Sequence, residues 1–386
     1  MPATVAMLYY ATFALIALLP ARDRRESPGA SSTRFMIIIP AHNEETTIGT
    51  SVQSCRDLDY PRDRFGICVV ADNCSDSTAD AASSLGVRCL VREDATHRGK
   101  GYALAFAFDQ LLPETHDAFV ILDADCVLDP CALRQSDMCI RGGDRVLQLA
   151  DCVSNADDNP ISYALSVGNV IENRLFYAAK SRLGLPVMLR GTGMVLHRHI
   201  LERIPWKAQS IVEDLEYSIE LFRAGIPVRF LENVEVRSAF PTEPRQLNIQ
   251  RERWARGNLS FARTQGFKLI LEGLTRRSLG LLDAGLMILF MSRPIFLTVL
   301  SLAMVASAAA HWMARTQTTE ILLLFSLILG LLCILYFGLG ILLLGLTKAR
   351  LGLLCRIPYV LGRLIWISVC GLFSTGSLQW KRTPRR

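Results

Sequence analysis

Hydrophobic positions divide the chain into three regions. The run from Thr4 to Pro20 is apolar and almost uncharged, and from Leu279 to Ser374 apolar blocks are broken only by short polar or basic joints. Residues 31–273 instead mix apolar and polar positions as a soluble α/β domain does. Because about 20 apolar residues suffice to span a bilayer as a helix, the pattern predicts a central domain between an N-terminal anchor (1–21) and a C-terminal membrane region (279–386).

The first apolar run is typical of an uncleaved anchor. It lacks the basic start and the Ala-x-Ala cleavage site of a signal peptide. Arg22, Arg24 and Arg25 follow it directly, and basic residues flank membrane segments on their cytoplasmic side. We therefore expect a multi-pass protein of the cell (inner) membrane whose central domain is cytosolic.

The C-terminal region predicts several helices. We expect an interfacial helix up to Met291 and spanning helices at about Pro294 to Met313 and Glu320 to Gly345. The block from Leu351 to Ser374 contains charged residues and a proline, and a full span there would export the basic tail at 381–386. A re-entrant or partly interfacial segment is favoured, and a spanning segment is the alternative.

Short apolar runs alternate with helical segments in the central region. The predicted strands are residues 35–40, 66–71, 87–91 and 118–122, and the predicted helices between them are residues 44–58, a segment through Ala82, and 101–112. Repeated β-α-β units predict a mostly parallel sheet with helices on both faces. Ligands bind at the carboxyl ends of the strands in such sheets, and these runs end in acidic or polar residues.

Charge and cysteine content narrow the choice of partners. The net charge of +6 is concentrated near the predicted membrane joints and in one helical stretch, which favours lipid headgroups and phosphates over nucleic acid. The eleven cysteines form no Cys-x-x-Cys pair and no zinc spacing. They are typical of reduced packing residues rather than of a metal site or a disulfide framework.

Asp123 and Asp125 are the candidate metal ligands. They follow the fourth predicted strand two residues apart, so both can turn into the cleft where the strand gives way to a loop. Two carboxylates this close repel each other unless they share a cation, and Mg²⁺ or Mn²⁺ would bind them and a diphosphate together. The alternative is a polar strand end capped by aspartate side chains.

Glu213 and Asp214 begin an amphipathic helix that continues through Phe222. Acidic residues are common there because they complement the helix dipole, and this is the ordinary structural explanation. If the acceptor of a transfer reaction is a hydroxyl, however, a carboxylate must take its proton as the oxygen attacks. Asp214 is the candidate for that base.

A basic element precedes the C-terminal membrane region. Gln250, Arg253 and Trp254 lie three and four residues apart and therefore share one helix face. Arg253 can neutralise a departing diphosphate, Gln250 can hydrogen-bond to it, and Trp254 offers a flat face to a sugar ring. The alternative for Trp254 is an aromatic anchor at the membrane interface.

Four elements of the chain together resemble a known pattern. In chain order they are Asp72, Asp123-Ala124-Asp125, Glu213-Asp214 and Gln250-Arg251-Glu252-Arg253-Trp254. It is that of membrane-embedded family 2 glycosyltransferases, the group of cellulose, chitin, hyaluronan and poly-N-acetylglucosamine synthases and of ceramide glucosyltransferases. The resemblance extends from Phe35 to Asn258 and implies a GT-A-type fold.

The resemblance also implies a role for each matching residue. The donor, a UDP-sugar, would contact Pro40, Glu44, Asp72, Lys100, Asp123, Gln250 and Arg253, although a solvated loop lysine is the alternative for Lys100. Asp125, with Asp123, would bind the metal, and Asp214 would be the base of an inverting reaction. The acceptor would contact Gly191, Thr192, Gly193, Glu213 and Trp254.

The sequence is compatible with three functions. The leading one is transfer of a hexose or N-acetylhexosamine to a growing polysaccharide, with a partner protein or a second copy supplying further helices. The second is a single transfer to a lipid acceptor of the ceramide, polyprenyl or hopanoid type. The third, non-enzymatic, is a transporter or receptor with a nucleotide-binding domain, which would need no intact base.

Overall fold

Eight strands form one sheet in the computed structural model, which describes residues 2–20, 31–208, 210–240, 257–363 and 366. The strands are β1 (Phe35–Ala41), β2 (Phe65–Asp72), β3 (Arg88–Arg92), β4 (Ala118–Ile121), β5 (Cys126–Leu128), β6 (Val146–Val153), β7 (Met194–His197) and β8 (Arg229–Ser238). Their spatial order is β3-β2-β1-β4-β7-β6-β8-β5.

The first half of the sheet is parallel. β1 lies between β2 and β4 in parallel register, and β3 pairs in parallel with β2. This half contains the predicted strands and confirms them within one or two residues. The other half is mixed, since β7 runs antiparallel to both β4 and β6, β5 runs antiparallel to β8, and β6 and β8 are parallel.

Helices surround this sheet and continue beyond it at both ends of the chain. They are α1 (Pro2–Ala17), α2 (Ile48–Arg56), α3 (Thr78–Ser84), α4 (Lys100–Leu111), α5 (Ala132–Arg141), α6 (Pro160–Val170), α7 (Ala178–Arg182), α8 (Arg198–Arg203), α9 (Glu213–Arg223), α10 (Phe267–Thr275), α11 (Leu279–Leu289), α12 (Arg293–Ala314), α13 (Gln317–Leu344) and α14 (Lys348–Leu354). A 3₁₀ turn forms at Arg62–Arg64, and π-helical turns form at Ile171–Tyr177 and Ala262–Gly266.

Strand β1 divides the hydrophobic core into two layers. Alternate side chains of a strand point to opposite faces, and accordingly Ile37 and Ile39 pack with α2 on one face. Met36 and Ile38 belong to the layer on the other face, together with α4. That second layer continues without a break into α1, α11, α12 and α13, so the terminal helices and the sheet share one core.

Two helices, α12 and α13, are long and apolar enough to cross a membrane, judged by length and composition in the part of the chain that the structure describes. The apolar helices α1 and α11 are shorter. Helix α14 and a second helical stretch at 357–363 begin the block from Leu351, and a turn separates them. Arg22, Arg24 and Arg25 lie outside the described residues, so the anchor at 1–21 and the cytosolic orientation stay predictions.

A buried ion pair joins the sheet domain to the terminal helices. The Lys180 ammonium on α7 is fully buried and pairs with the Asp283 carboxylate on α11. It also donates to the Tyr9 hydroxyl of α1 at 3.1 Å, and this hydroxyl donates to Asp283 Oδ1 at 2.8 Å. Burial lowers the pKa of Lys180 to about 8, although Asp283 opposes the shift. Three helices are thus held together by one satisfied charge pair.

Removing the cation should destabilise this junction. In Lys180→Met the Asp283 carboxylate loses its charge partner, and breaking a buried pair in this way costs about 3–5 kcal/mol. We expect a clear fall in the midpoint of thermal unfolding in detergent. The double variant Lys180→Met/Asp283→Leu should recover much of the loss, and Arg134→Met, which breaks an exposed pair with Asp59, should cost under about 1 kcal/mol. An unchanged midpoint for Lys180→Met would contradict this role.

Candidate active site

The predicted site residues of the sheet domain gather at the edge where β1, β2 and β4 end. β4 leads into Asp123, and β2 ends at Asp72. Because β7 runs antiparallel to β4, the segment that enters β7 lies at this same edge. The Gly193 amide donates to the Ile121 carbonyl at 2.8 Å, which fixes the segment 190–193 beside the end of β4.

Lys100, the first residue of α4, is the central charge of the site. Its ammonium pairs with the Asp123 carboxylate and donates to the Gly191 carbonyl at 2.7 Å. Burial by itself would lower the pKa of Lys100, but the carboxylates of Asp123, Glu213 and Asp214 outweigh it and raise the pKa overall. Lys100 is therefore a charged member of the site rather than a solvated loop lysine.

Gly191 lies between the lysine and the candidate base. A Cβ atom at this position would be 3.4 Å from Lys100 Nζ and 3.5 Å from Asp214 Oδ2. Its φ of +78° also favours glycine. Gly193 is needed for packing, since its Cβ would lie 2.8 Å from the Val236 side chain. A contact of either glycine with an acceptor stays a prediction.

Asp123, Asp125 and Cys126 form the candidate metal group. One potential ligand atom of each lies within 4.8 Å of the others. Burial raises the pKa of the Cys126 thiol well above its usual range, so the sulfur stays protonated and is a poor ligand for a hard cation. The two carboxylates fit Mg²⁺ or Mn²⁺, which bind oxygen and take further ligands from phosphates.

The Thr192 hydroxyl contacts two members of this group. Its hydroxyl accepts from the Asp123 amide at 3.1 Å and lies 3.5 Å from Cys126 Sγ. The residue is only 5% exposed, so in this structure it orients the backbone of Asp123. The acceptor contact expected of Thr192 stays a prediction.

Glu213 and Asp214 open α9 as predicted, and both are largely withdrawn from water. Burial raises the pKa of Glu213, and the charge of Asp214 adds to that shift. Burial also raises the pKa of Asp214, while Lys100 opposes the change. A carboxylate with a raised pKa holds a transferred proton more readily than an ordinary aspartate does, which suits a general base.

The nucleoside end of the predicted site contains a residue that sequence reasoning missed. Asp72, which is 6% exposed, pairs with Arg92 at 2.6 Å between Oδ1 and Nη1. Arg92 ends β3 directly opposite Asp72 in the parallel register. Ligands bind at the carboxyl ends of parallel strands, and this rule, applied also to β3, would have identified Arg92.

Pro40 and Glu44 lie in the turn that follows β1. Pro40 is within β1, near its carboxyl end, and the His42 ring contacts the Asp72 carbonyl at 2.7 Å between Nδ1 and the oxygen. The Glu44 amide donates to the Thr78 hydroxyl at 2.7 Å, which ties this turn to the start of α3. Pro40, Glu44 and Asp72 are thus brought together, and their contact with a nucleoside stays a prediction.

Gln250, Arg253 and Trp254 lie outside the described residues, so their predicted roles stay predictions. Gly257, the next described residue, packs closely on Val212, because a Cβ there would lie 2.9 Å from Val212 Cγ1. Val212 directly precedes Glu213. Gly257 therefore lies beside the start of α9.

Comparison with known proteins finds sequence similarity over more than half of the chain. The family described as "Glycosyltransferase like family 2" matches residues 33–257, more than half of the chain. The probable glycosyltransferase YdaM of Bacillus subtilis is 25% identical over 237 residues, which cover 58% of this chain and 55% of that protein. The beta-monoglucosyldiacylglycerol synthase of Trichormus variabilis is 27% identical over 232 residues, which cover 57% of this chain and 48% of that protein. The chain therefore matches about half the length of each of these curated relatives.

A solved structure shares the fold over almost the whole chain. The mannosyltransferase PcManGT of Pyrobaculum calidifontis, in complex with GDP-Man and Mn²⁺, has a TM-score of 0.61 at 19% identity. The match covers 97% of this chain and 96% of that one. This likeness confirms the GT-A-type fold expected from the sequence.

Replacing Lys100 should make stability more sensitive to pH. In Lys100→Met, the carboxylates of Asp123, Glu213 and Asp214 lose the neighbouring cation and repel each other when ionised. The folded-state pKa values of Glu213 and Asp214 are raised, so these two groups bind protons better in the folded state, and their contribution to stability falls as pH rises through those values. The midpoint of thermal unfolding should therefore drop further below wild type at pH 8 than at pH 5, measured without metal.

The exposed Lys207 provides the matched control for this measurement. Lys207→Met should follow the wild-type protein at both pH values. An equal loss for Lys100→Met at pH 5 and pH 8 would show that the lysine does not balance the carboxylates.

Proposed function

Since the chain belongs to the family 2 glycosyltransferases, we propose that it moves a hexose or N-acetylhexosamine from a UDP-sugar to a hydroxyl of a membrane-held acceptor, with inversion. One observation carries this proposal. Lys100 and Gly191 bring the candidate base Asp214 next to Asp123, so that a proton acceptor and a candidate metal ligand face one small space.

The chemistry follows from these positions. The Asp214 carboxylate takes the proton of the acceptor hydroxyl while its oxygen forms a bond to the anomeric carbon of the donor. The bond between this carbon and the phosphate oxygen breaks, and its electron pair leaves with the nucleoside diphosphate. Asp125 and Asp123 would hold Mg²⁺ or Mn²⁺, which when bound stabilises charge on the diphosphate. Lys100 keeps Asp123 in place throughout.

Asp72 is suited to the nucleoside end of the donor. Arg92 and Asn73 engage one oxygen of its carboxylate, at 2.6 Å and 2.9 Å to Oδ1, and thereby fix its orientation. An oriented carboxylate can accept hydrogen bonds from a base or a ribose hydroxyl. Uridine is favoured over guanosine by the family resemblance, with Pro40 and Glu44 completing the pocket.

A lipid is the acceptor that we favour. A cavity of about 190 Å³ lies between α1, α11 and α12, and its lining, which includes Ala6, Ile288 and Phe296, is mostly apolar. Such a lining suits an acyl or isoprenoid chain. The Trichormus variabilis relative is named for synthesis of a glucosylated diacylglycerol, which supports the same choice. Extension of a polysaccharide is the second candidate, since helices α12 and α13 could contribute to a channel with a second copy or a partner.

Product analysis distinguishes these acceptors. Detergent-purified protein would be incubated with radiolabelled UDP-sugars and Mn²⁺ or Mg²⁺, with and without membrane lipid extract. We expect label in a single lipid band that requires both the extract and the metal and disappears with EDTA. A ladder of polymer would establish the polysaccharide reaction instead. UDP binding without transfer from any donor would favour the non-enzymatic alternative.

The base is tested by Asp214→Asn. The amide keeps the shape of the side chain but cannot take the proton, and the loss of a general base typically slows a reaction by about 10²–10⁴-fold. We expect the transfer rate to fall by this factor while calorimetry still detects UDP binding. Glu216→Gln, in the first turn of the same helix, is the control and should retain near-normal transfer. Near-normal turnover by Asp214→Asn would contradict the assignment.

A further inference from the structure

Four largely buried charged side chains form a row between the candidate active site and the membrane helices. Arg190 pairs with Asp151, at 3.2 Å between Nη2 and Oδ2, and faces Glu172 at 3.8 Å. Glu172 in turn pairs with Arg293, at 3.4 Å between Oε2 and Nη1. Asp151 comes from β6, Glu172 from the π-helical turn and Arg293 from the start of α12.

The row reaches the active site through the backbone of Arg190. This residue directly precedes Gly191, whose carbonyl accepts from Lys100. The Arg190 amide donates to the Gln148 side chain at 2.9 Å, and the same side chain donates to the Thr192 carbonyl at 2.9 Å. The position of the Arg190 side chain is therefore linked to the segment 190–193 beside Asp214.

The other end of the row is attached to the helix that begins the predicted membrane span. Arg293 also donates to the Gly168 carbonyl of α6 at 3.1 Å, and its Nε atom is buried without a hydrogen-bond partner among the described residues. Glu172 is the one carboxylate of the row that contacts both arginines. It thus connects the segment 190–193 to the start of α12.

Burying four charges costs free energy, and a protein with apolar residues of similar volume in their place would often be as stable or more stable. Such a row is therefore better explained by the geometry it fixes than by stability. Here it fixes the first residue of α12 relative to the loop beside the candidate base.

We propose that Glu172 is a positioning residue that sets the distance between the membrane-embedded acceptor and the catalytic groups through Arg190 and Arg293. This inference rests on the proposed transfer to a membrane-held acceptor. It assigns Glu172 no contact with either substrate. Loss of its charge should therefore impair use of the acceptor and spare the binding of the donor.

The test is Glu172→Gln, which keeps the volume of the side chain and removes its charge. A small misplacement can slow a reaction by about 10²-fold, so we expect the transfer rate at saturating donor to fall about 10- to 100-fold. UDP affinity should stay close to wild type, whereas the midpoint of thermal unfolding should fall, because Arg293 loses its carboxylate partner. The double variant Glu172→Gln/Arg293→Gln should be no slower than the worse single variant, because contacting residues of one network are not additive.

Glu202→Gln is the matched control. Glu202 also faces an arginine, Arg198, but this pair lies just after β7, at the opposite edge of the sheet. Wild-type transfer by Glu172→Gln would overturn the proposal. So would a loss of UDP affinity as large as the loss of transfer, since that pattern marks a merely structural role.

A second readout does not depend on transfer. Amide hydrogen exchange in residues 190–193 and 293–297 should accelerate together in Glu172→Gln and remain unchanged in Glu202→Gln. If wild-type protein transferred no sugar, the proposed function would fail, whereas this exchange experiment would still test the coupling. Unchanged exchange in both segments of Glu172→Gln would overturn it.

Discussion

The candidate site depends on the interaction of the Lys100 ammonium with the carboxylates around it. The ammonium pairs with Asp123 and lowers the cost of holding Glu213 and Asp214 in a poorly solvated space. Without a cation, three neighbouring carboxylates from two distant parts of the chain would repel each other. Gly191 completes the arrangement, because its backbone lies between the lysine and Asp214 with a φ of +78° that favours glycine.

The same fold that assembles this site also attaches it to the terminal helices. One face of β1 packs on α4, and the hydrophobic layer there is continuous with α1, α11, α12 and α13. Within this layer, Lys180 pairs with Asp283, and Arg190 and Arg293 meet at Glu172. The reacting groups thus have a defined position relative to the helices that are long enough to span a membrane, which an enzyme with a membrane-held acceptor needs.

Sequence patterns predicted the parallel half of the fold well, because β1, β2 and β4 are apolar runs that end in polar residues. They did not predict β5, β6, β7 or β8, whose pairing depends on contacts between distant segments. The strand-end rule identified Asp72, Asp123 and Asp125, and the start of α9 identified Asp214. Sequence reasoning missed the pair of Arg92 with Asp72 and the hydrogen bond of the buried Thr192 hydroxyl to the Asp123 amide, since both contacts depend on tertiary packing.

The ionic row from Asp151 to Arg293 was equally beyond the reach of sequence patterns. Its members are separated by as many as 142 positions along the chain, and none belongs to a short motif with a known mechanism. Arg190 directly precedes the predicted acceptor residues at 191–193, but its own partners become visible only when β6, the π-helical turn and α12 are brought together.

The central claim is that Asp214 acts as the base of a single displacement. It is tested most directly by the anomeric configuration of the first product, measured by proton NMR during early turnover with an α-linked UDP-sugar and Mn²⁺. A β-linked product, which is the inverted configuration, is the predicted result. An α-linked product would contradict the claim, because retention cannot arise from one attack assisted by a base.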